Sequence, residues 1–446
     1  MDRYFPFGPL SLQAVAHQYG SNLVDILPFP AQSPKTGWEN SASFSEAMLS
    51  SIDFQDYDTI GLSTVGSTFH LSLAQARWIK QKFPALSIWM GGPHASAVAR
   101  DILVHFVEID AIFIGEGEVT FSRVLERRIR DNFSLNGIKG IFSREDGYSP
   151  RPVIPDLDEL PRIIFSTQYL PHLHVMQQPN EDIMLPIEVS RGCPGHCTFC
   201  STKVFWGNRI RHKSGKRILS EMEELFNLTG ISSFEFIGDN FAHPQEWLRQ
   251  FCLYIQKETP GLNWYCDLKL NRLDQEDLKI LWESGCRGFF VGVESGSQIT
   301  LNRIKKEIKL PKTIAMIENA RQMGFKIKTS FIIGFPWETP SDIDETFNLH
   351  YQMLKMGIFE SQLWLLCPLP GTDLFANYDL NFDPGMASRI AMAGIAPGDE
   401  LWNLVSQYPA IFPQFHYYRV PKLNMIELIA TLDTASQMSY LYSMDR

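Results

Sequence analysis

Short apolar runs alternate with helix-forming stretches along the first third of the chain. Runs at 24–27, 59–63, 87–90 and 111–114 are rich in apolar and β-branched residues, which is the composition of buried strands. The stretch at 72–82 repeats its apolar residues at helical spacing. Strands that alternate with helices in this way predict a parallel, doubly wound sheet, in which ligands bind beyond the carboxyl ends of the strands.

A second alternation of the same kind starts at an apolar run before the middle of the chain. It predicts six βα units, and active sites of such assemblies lie at the carboxyl ends of the strands. The predicted strands are 183–189, 234–237, 263–267, 287–293, 326–333 and 361–366. The predicted helices are 218–228, 244–257, 275–284, 311–323 and 340–355.

Two segments lack this alternation. Residues 145–182 are rich in proline, aspartate and polar residues, which is typical of a linker. Near the C-terminus the pattern predicts helices at 385–408 and 420–440, with an aromatic stretch at 408–420 between them. This tail either caps a substrate pocket with its aromatic side chains or forms a helical cap that packs on the barrel. The aromatic residues concerned are Phe412, Phe415, Tyr417 and Tyr418.

The composition describes a globular protein with room for two or three domains. The chain has 446 residues, of which 44% are hydrophobic and 20% are charged. Its net charge of -10 argues against a general nucleic-acid binder, which needs a basic surface for phosphates. The sequence shows neither a signal peptide nor an apolar stretch long enough to span a bilayer, so we expect a cytoplasmic protein.

Three of the seven cysteines, Cys193, Cys197 and Cys200, follow the run at 183–189 with C-x-x-x-C-x-x-C spacing. Three thiolates on one loop can hold three irons of a four-iron cluster and leave the fourth iron open for a substrate or cofactor. The alternatives are a zinc site that includes His196, or three ordinary core cysteines. The scattered cysteines are expected in the core of a reduced protein: Cys252, Cys266, Cys286 and Cys367.

This motif, in its strand-then-loop context, resembles that of the radical S-adenosylmethionine (SAM) superfamily. The resemblance covers about 183–375 and implies a partial (β/α)6 TIM-type barrel that is open on one side. It implies that the open iron chelates the amino and carboxylate groups of SAM. An electron from the cluster then cleaves SAM to methionine and a 5'-deoxyadenosyl radical. Phe199, the residue before the last cysteine, would lie near the adenine.

The resemblance also implies contacts with SAM at the ends of the barrel strands. The expected contacts are Gly238, Asp239, Glu294, Ser330, Gly334 and Leu366. A carboxylate such as Glu294 suits ribose hydroxyl or ammonium donors, and its alternative role is a buried ion pair with Lys269 or Arg287. Arg209 and Arg211 either pair with the carboxylate of SAM or lie in solvent.

Small residues end the strands of the first third, where they let a bulky, flat ligand approach the backbone. These strand ends resemble those of the cobalamin-binding Rossmann-like (flavodoxin-like) domain that precedes the barrel in one class of radical SAM enzymes. The implied contacts are Ser63, Thr64, Gly66, Gly91, Gly92, Gly115 and Glu116. The Asp-x-His-x-x-Gly motif is missing after Asp25, which suggests cobalt without a histidine ligand. Turn glycines in a sheet without cofactor are the alternative, and His70 and His94 either line the pocket or are hydrogen-bonded nearby.

The resemblance predicts a cobalamin-dependent radical SAM enzyme. The commonest reaction in this class is methylation, here expected at an unactivated carbon of a small metabolite. Its domains would be a cobalamin-binding domain at 1–144, a linker at 145–182, the barrel at 183–375 and a helical substrate-capping region at 376–446. Cys193, Cys197 and Cys200 would be the metal-binding, catalytically essential residues. The cofactors would be a 4Fe-4S cluster, SAM and cobalamin, with flavodoxin or ferredoxin as electron donor. The alternatives are rearrangement, cyclisation, 3-amino-3-carboxypropyl transfer, or a non-catalytic cluster protein.

Overall fold

Two sheets with flanking helices organise the chain in the computed structural model, and the predicted α/β fold class is confirmed. The structure describes residues 6–20, 24–27, 40–130, 134–145, 147, 151, 153–165, 184–258, 261–390 and 395–444. None of the helices within these ranges has the length and apolar character needed to cross a membrane.

The N-terminal sheet has four strands in chain order. They are β1 Thr59–Ser63, β2 Ser87–Gly91, β3 Ala111–Phe113 and β4 Ile141–Ser143. The first three are parallel, as predicted, and β4 runs antiparallel to β3. The helices of this region are α1 Phe7–His17, α2 Ser41–Leu49, α3 Phe69–Lys82, α4 Pro93–Ala97, α5 Ala99–His105 and α6 Glu118–Ile129.

The strand predicted at 24–27 does not form. Val24, Ile26 and Leu27 pack against three different hydrophobic clusters, so they do not present one apolar face to a sheet. Without this strand, the described part of the sheet has no reversal of strand order, which is the feature that defines a doubly wound sheet.

The second sheet contains the six predicted strands, all parallel. This part of the chain has eight strands in the described residues, the six of the sheet and two others: β5 Leu185–Glu188, β6 Ser190–Arg191, β7 Arg211–His212, β8 Ser233–Ile237, β9 Asn263–Asp267, β10 Cys286–Glu294, β11 Lys326–Ile333 and β12 Glu360–Leu365. β6 and β7 form a separate antiparallel pair, and the others lie in the order β5-β8-β9-β10-β11-β12. The sequence therefore predicted this half-open barrel correctly.

The helices around the barrel carry clear start and stop residues. Ser214 caps the first long helix with its side chain, and Gly230 ends it in the left-handed conformation. Thr339 and Gly357 do the same for the helix after β11. The helices are α7 Thr202–Phe205, α8 Gly215–Thr229, α9 Gln245–Glu258, α10 Gln275–Glu283, α11 Gln298–Arg303, α12 Leu310–Gln322, α13 Pro340–Met356 and α14 Asp373–Asn377.

The C-terminal region contacts both sheets. Its elements are β13 Leu380–Asn381, α15 Pro384–Ile390, α16 Asp399–Gln407, β14 Tyr417–Tyr418 and α17 Met425–Met444. Helix α17 packs against β12 and α13 on the outside of the barrel. Phe412 and Phe415, however, are fully buried in the N-terminal core with Phe69 and Phe106. They therefore do not cap the barrel, while Tyr418 belongs to the barrel core.

The predicted linker lies mostly outside the described residues. The longest described stretch of it, 153–165, has one short 3-10 turn at Leu157–Glu159 and no helix or strand. The predicted domain boundaries at 144, 182 and 375 stay predictions.

Candidate functional site

The three predicted cluster cysteines lie on one loop, residues 192–200, termed the cysteine loop. It leaves strand β6 at Gly192, whose φ is +90° and where a side chain would collide with the backbone of the returning segment. The Gly192 amide donates to Asp239 Oδ2 (3.0 Å). The Thr198 amide donates to the carbonyl oxygen of Ile304 (3.0 Å). The loop is thus held against the ends of β8 and α11.

The thiols of the cysteine loop are half-buried neighbours. Burial raises the pKa of Cys193 and of Cys197, and the charge of Cys200 raises both further. Lys269 acts in the opposite direction on both thiols, and Lys306 does so on Cys197. Three soft sulfur ligands beside two ammonium groups suit a negatively charged iron–sulfur cluster.

The geometry of the loop fits a cluster. At Gly195 an added Cβ would lie 3.3 Å from Cys193 Sγ and 3.9 Å from Lys269 Nζ, so glycine keeps the space beside the thiol open. Within the described ranges, no three His, Cys, Asp or Glu side chains converge as the ligands of one metal ion do. A cluster needs no such convergence, because each thiolate binds a different iron. His196, the suggested zinc ligand, is exposed.

Gly238 and Asp239, the predicted contacts of the SAM amino group, follow strand β8 beside the cysteine loop. Asp239 Oδ1 accepts a hydrogen bond from Thr202 Oγ1 (3.0 Å), and Cys200 Sγ lies 3.3 Å from the same hydroxyl. A Cβ at Gly238 would collide with Ser190 Oγ. Asp239 therefore supports the cysteine loop, Gly238 packs closely against β6, and the contact of both residues with SAM stays a prediction.

Glu294 ends β10 at a β-bulge with φ +70°, an uncommon conformation for any residue but glycine. Its Oε1 accepts a hydrogen bond from Lys306 Nζ (2.6 Å), and both side chains are buried. The expected alternative of a buried ion pair is thus present, with Lys306 as partner in place of Lys269 or Arg287. Burial lowers the pKa of Lys306, but Glu294 and then Cys197 raise it above its ordinary value. A contact of Glu294 with SAM stays a prediction.

The remaining predicted SAM contacts lie at neighbouring strand ends or on the cysteine loop. Ser330 is buried on β11, next to Gly292 of β10. Gly334 has φ +96°, and the Leu366 amide donates to a β11 carbonyl oxygen (2.8 Å). The ring of Phe199 on the cysteine loop lies 6.0 Å from that of Phe335 in an edge-to-face arrangement. Ser330, Gly334 and Leu366 thus share one end of the barrel.

Glu338, which the sequence analysis missed, shapes the turn after β11. Its Oε2 accepts hydrogen bonds from the amides of Gly334 (2.7 Å) and Phe335 (2.9 Å). Its Oε1 is buried without a partner among the residues described. Burial raises the pKa of this carboxyl to about 8, although the two amides lower it. The only sequence signal was a carboxylate that directly follows Phe335-Pro336-Trp337.

Some of the predicted cobalamin contacts are open to a ligand. Ser63 is exposed at the end of β1, and a Cβ added at Gly61 would meet nothing within 4 Å. At Gly91 the nearest atom to such a Cβ is 3.7 Å away, on Phe113. At Gly66 it is 3.4 Å away, on Pro413 of the C-terminal region. Ser63 and Gly61 therefore leave backbone accessible to a large, flat molecule and fit cobalamin, whereas Gly91 and Gly66 are already in van der Waals contact with neighbouring side chains.

Other predicted cobalamin contacts are engaged within the protein. Thr64 Oγ1 donates to the carbonyl oxygen of Gly91 (2.9 Å) and accepts from the Ala95 amide (3.1 Å). Gly92 has φ +98°, and a Cβ there would collide with the backbone of Thr64. The Gly115 amide donates to Ser96 Oγ (2.8 Å). These residues shape the strand ends, and their contact with cobalamin stays a prediction.

Glu116 is buried in a cluster of charges between the two sheets, termed the interdomain ion network. It accepts hydrogen bonds from Arg191 (3.0 Å) and Arg211 (2.8 Å). Arg191 also binds Glu118 (2.7 Å) and Glu188 (2.9 Å). The side chains of these five residues are no more than 12% exposed. Both oxygens of Glu116 are bound by arginines, so its predicted contact with cobalamin is not supported.

The network also corrects the expectation for two arginines. Arg211 is buried and donates to Glu116, so it neither meets the carboxylate of SAM nor lies in solvent. Arg209 is exposed, in agreement with the solvent alternative. Arg191 was missed, although a charge within a buried strand segment indicates a buried partner.

Two buried histidines attach the C-terminal region to the N-terminal sheet. His70 Nε2 donates to the carbonyl oxygen of Ile395 (2.9 Å), and its Nδ1 accepts from Gln414 Nε2 (3.1 Å). His94 Nε2 donates to the carbonyl oxygen of Ile411 (2.9 Å). Burial lowers the pKa of each imidazole to about 4. Both are therefore neutral, hydrogen-bonded residues.

Two families match the chain in the parts that hold these strand ends. Residues 3–125 match the B12 binding domain, and residues 187–350 match the radical SAM superfamily. The first match includes the open strand ends of the N-terminal sheet, and the second includes the cysteine loop.

Relatives extend the likeness over most of the chain. An uncharacterized methyltransferase of Pyrococcus horikoshii is 31% identical over 327 residues, which cover 72% of this chain and 69% of the relative. A cytidylyl-2-hydroxyethylphosphonate methyltransferase of Streptomyces wedmorensis is 26% identical over 404 residues, 79% of this chain and 74% of the relative.

A solved structure has the same fold. It is the radical SAM methyltransferase TsrM of Kitasatospora setae with cobalamin and a 4Fe-4S cluster bound. It superposes with a TM-score of 0.71 at 15% identity and covers 96% of this chain and 88% of that one. At this identity the likeness shows the fold alone.

Proposed function

The chain belongs to the cobalamin-dependent radical SAM family, and from this premise we propose that it methylates an unactivated carbon of a small metabolite. Its cofactors are a 4Fe-4S cluster, SAM and cobalamin. The observation that carries the proposal is the junction of the two sites. Arg191, which directly precedes the cysteine loop, binds Glu116 and Glu118 beyond β3 of the cobalamin-binding domain.

When bound, these cofactors supply one-electron cleavage of SAM and a methyl group for transfer. The residues of the chain hold and screen them. Cys193, Cys197 and Cys200 bind three irons, and the hydrogen bond from Gly192 to Asp239 keeps their loop on the barrel. The ammonium group of Lys306, fixed by a buried carboxylate, offsets the negative charge of the thiolates.

The lumen of the barrel supports a small-molecule substrate. Side chains alternate between the two faces of β12, and Ser361 bonds His350 of the outer helix α13 (2.7 Å). Gln362 and Trp364 therefore face the lumen, where the indole donates to Gln362 Oε1 (3.1 Å). Trp364 is 47% exposed, and an exposed indole within a lumen offers an apolar surface to a substrate.

Product analysis tests the proposal on anaerobically reconstituted protein with reductant, SAM, cobalamin and cell extract. Deoxyadenosine together with S-adenosylhomocysteine, identified by mass spectrometry, is the expected result. Deoxyadenosine without S-adenosylhomocysteine would indicate rearrangement or cyclisation instead of methylation. Methylthioadenosine would indicate aminocarboxypropyl transfer. The Cys200→Ser variant is the control and should release none of these nucleosides.

A further inference from the structure

The cysteine loop approaches the protein surface beside Lys305. Cys197 Sγ lies 3.8 Å from the carbonyl oxygen of Lys305, whose side chain is exposed. Lys305 has φ +56°, so the backbone turns sharply at this point. The next residue, Lys306, pairs with buried Glu294, while Lys305 faces solvent. Cys197, a predicted cluster ligand, is thus separated from solvent by a single residue, Lys305.

This surface carries a group of basic side chains, His196, Lys203, Arg303 and Lys305, termed the basic patch. Lys203 Nζ lies 2.9 Å from Asp373 Oδ1, with both side chains partly exposed. The pKa of Asp373 is lowered first by that hydrogen bond and then by the charges of Lys305 and His196, so these groups are neighbours. The whole chain carries a net charge of -10, against which the basic patch stands out.

The basic patch borders a cavity of about 480 Å³ with aromatic walls. Arg303, Lys305 and Asp373 line it together with Trp337 and Tyr378. The Arg303 guanidinium lies 5.0 Å from the centre of a Trp337 ring, and the Trp337 and Tyr378 rings are 5.6 Å apart. Aromatic and arginine side chains inside a charged rim are the usual composition of a protein interface.

We propose that the basic patch is the docking surface for an acidic one-electron carrier protein, a flavodoxin or a ferredoxin. The inference rests on the proposed function, which requires an electron at the cluster. One electron leaves the flavin or iron–sulfur centre of the carrier and enters the cluster, so the carrier is oxidised as the cluster is reduced. Most of the surface of this acidic protein repels an acidic carrier. The basic patch attracts the carrier, because its side chains have the opposite charge. That place is also where a cluster ligand comes within one residue of solvent.

Charge reversal tests the docking surface directly. Oxidised flavodoxin and, in a separate series, oxidised ferredoxin are bound to immobilised holoenzyme at low salt, and the Kd is measured by interferometry. We expect Arg303→Glu and Lys305→Glu each to raise the Kd of the true carrier about tenfold, an effect that disappears at high salt. Lys279→Glu, on the exposed face of α10, is the matched control and should leave the Kd unchanged.

A gain-of-function variant separates docking from folding. Asp373→Asn removes a negative charge from the basic patch and should lower the Kd several-fold, which a misfolded protein would not do. Wild-type protein that binds neither carrier, or an Arg303→Glu variant that binds as tightly as wild type, would overturn the proposal. Dithionite-driven release of deoxyadenosine needs no carrier. Its absence in wild type would count against the proposed function, while the binding series would still decide the docking surface.

Discussion

The barrel and the N-terminal sheet both gather their predicted site residues at the carboxyl ends of parallel strands, but with opposite chemistry. The barrel end holds three thiols, the Lys306–Glu294 pair and Asp239. The N-terminal end holds small residues and two neutral histidines, with Phe412 and Phe415 of the C-terminal region buried in the same core. The barrel end therefore presents charged side chains and thiols, while the end of the N-terminal sheet is partly covered by apolar residues of the C-terminal region.

The difference shows how each end suits its cofactor. A cluster bound by three thiolates is highly charged, so lysines and a fixed loop lower its energy in the barrel. A large, flat cofactor needs accessible backbone, which Ser63 and Gly61 provide. The interdomain ion network joins the two ends, and the following variants separate their contributions.

Loss of a cluster ligand should give the largest effect and confine it to the barrel. Cys197→Ser is expected to abolish SAM cleavage, because serine is a poor ligand for iron, and to leave cobalamin affinity within about twofold. Iron content, deoxyadenosine release and cobalamin titration measure the three quantities. Cys286→Ala, a buried thiol outside the cysteine loop, is the control and should retain cleavage. Cleavage by Cys197→Ser at the wild-type rate would refute the assignment.

Removal of Arg191, the central charge of the interdomain ion network, should give the next largest effect. It should lower the stability of both sheets, because the network joins them. Arg191→Met removes the arginine that binds Glu118 and Glu188 and leaves Glu116 paired with Arg211, and we expect the free energy of unfolding to fall by about 3–5 kcal/mol. Denaturant unfolding at neutral pH measures it. Exposed Arg209→Met is the matched control, with a change of at most about 0.5 kcal/mol. A loss below about 1 kcal/mol for Arg191→Met would show that the sheets do not depend on the network.

Mild acid should destabilise the N-terminal side. The pKa of His70 and of His94 is about 4 in the folded protein and 6.5 ordinarily, so the unfolded chain binds more protons between these values. The stabilisation is complete above pH 6.5 and is lost as the pH falls toward 4. Each histidine should cost about 2 kcal/mol at pH 5. Unfolding free energies at pH 5 and 7.5 test this: His94→Gln should remove about 2 kcal/mol of the total loss, to which His212 and His350, with pKa values also lowered to about 4 by burial, contribute as well, and His17→Gln is the control.

Mild alkali should destabilise the barrel side, by a smaller amount. The pKa of Glu338 is about 8 in the folded protein and 4.5 ordinarily, so the folded state binds more protons between these values and loses stability as the pH rises toward 8. Between pH 6.5 and 7.5 the loss should be about 1 kcal/mol. Glu338→Gln should reduce this slope and leave the part due to Asp267, whose pKa desolvation raises to about 7, while exposed Glu345→Gln should keep the whole slope, as measured by denaturant unfolding. Equal slopes in both variants would contradict the assignment.

The features that the sequence predicted well depend on neighbouring residues. The cysteine spacing, the six barrel strands and their helices follow from local patterns, because side-chain period and capping act over a few residues. The strand expected at 24–27 shows the limit of such patterns. Its apolar residues suited a strand, but each packs against a different cluster in the folded protein.

The features that were missed join distant parts of the chain. His70 bonds Ile395, 325 positions away, and Arg211 bonds Glu116 at a separation of 95. The alternative role of Glu294 was a buried ion pair with a barrel basic residue such as Lys269 or Arg287, and the partner in the folded protein is Lys306, reached from a β-bulge at Glu294. Such partners depend on how helices and strands pack together, and local sequence patterns do not predict that packing.

The α/β class, the half-open barrel and the cysteine loop could be predicted from the sequence, because hydrophobic period and ligand spacing are local properties of the chain. Packing in three dimensions determines that Glu116 serves the interdomain ion network, that the C-terminal region completes the N-terminal core, and that exposed Lys305 lies next to Cys197. Buried charges and apolar side chains must find partners wherever packing brings them, and that choice is made in three dimensions.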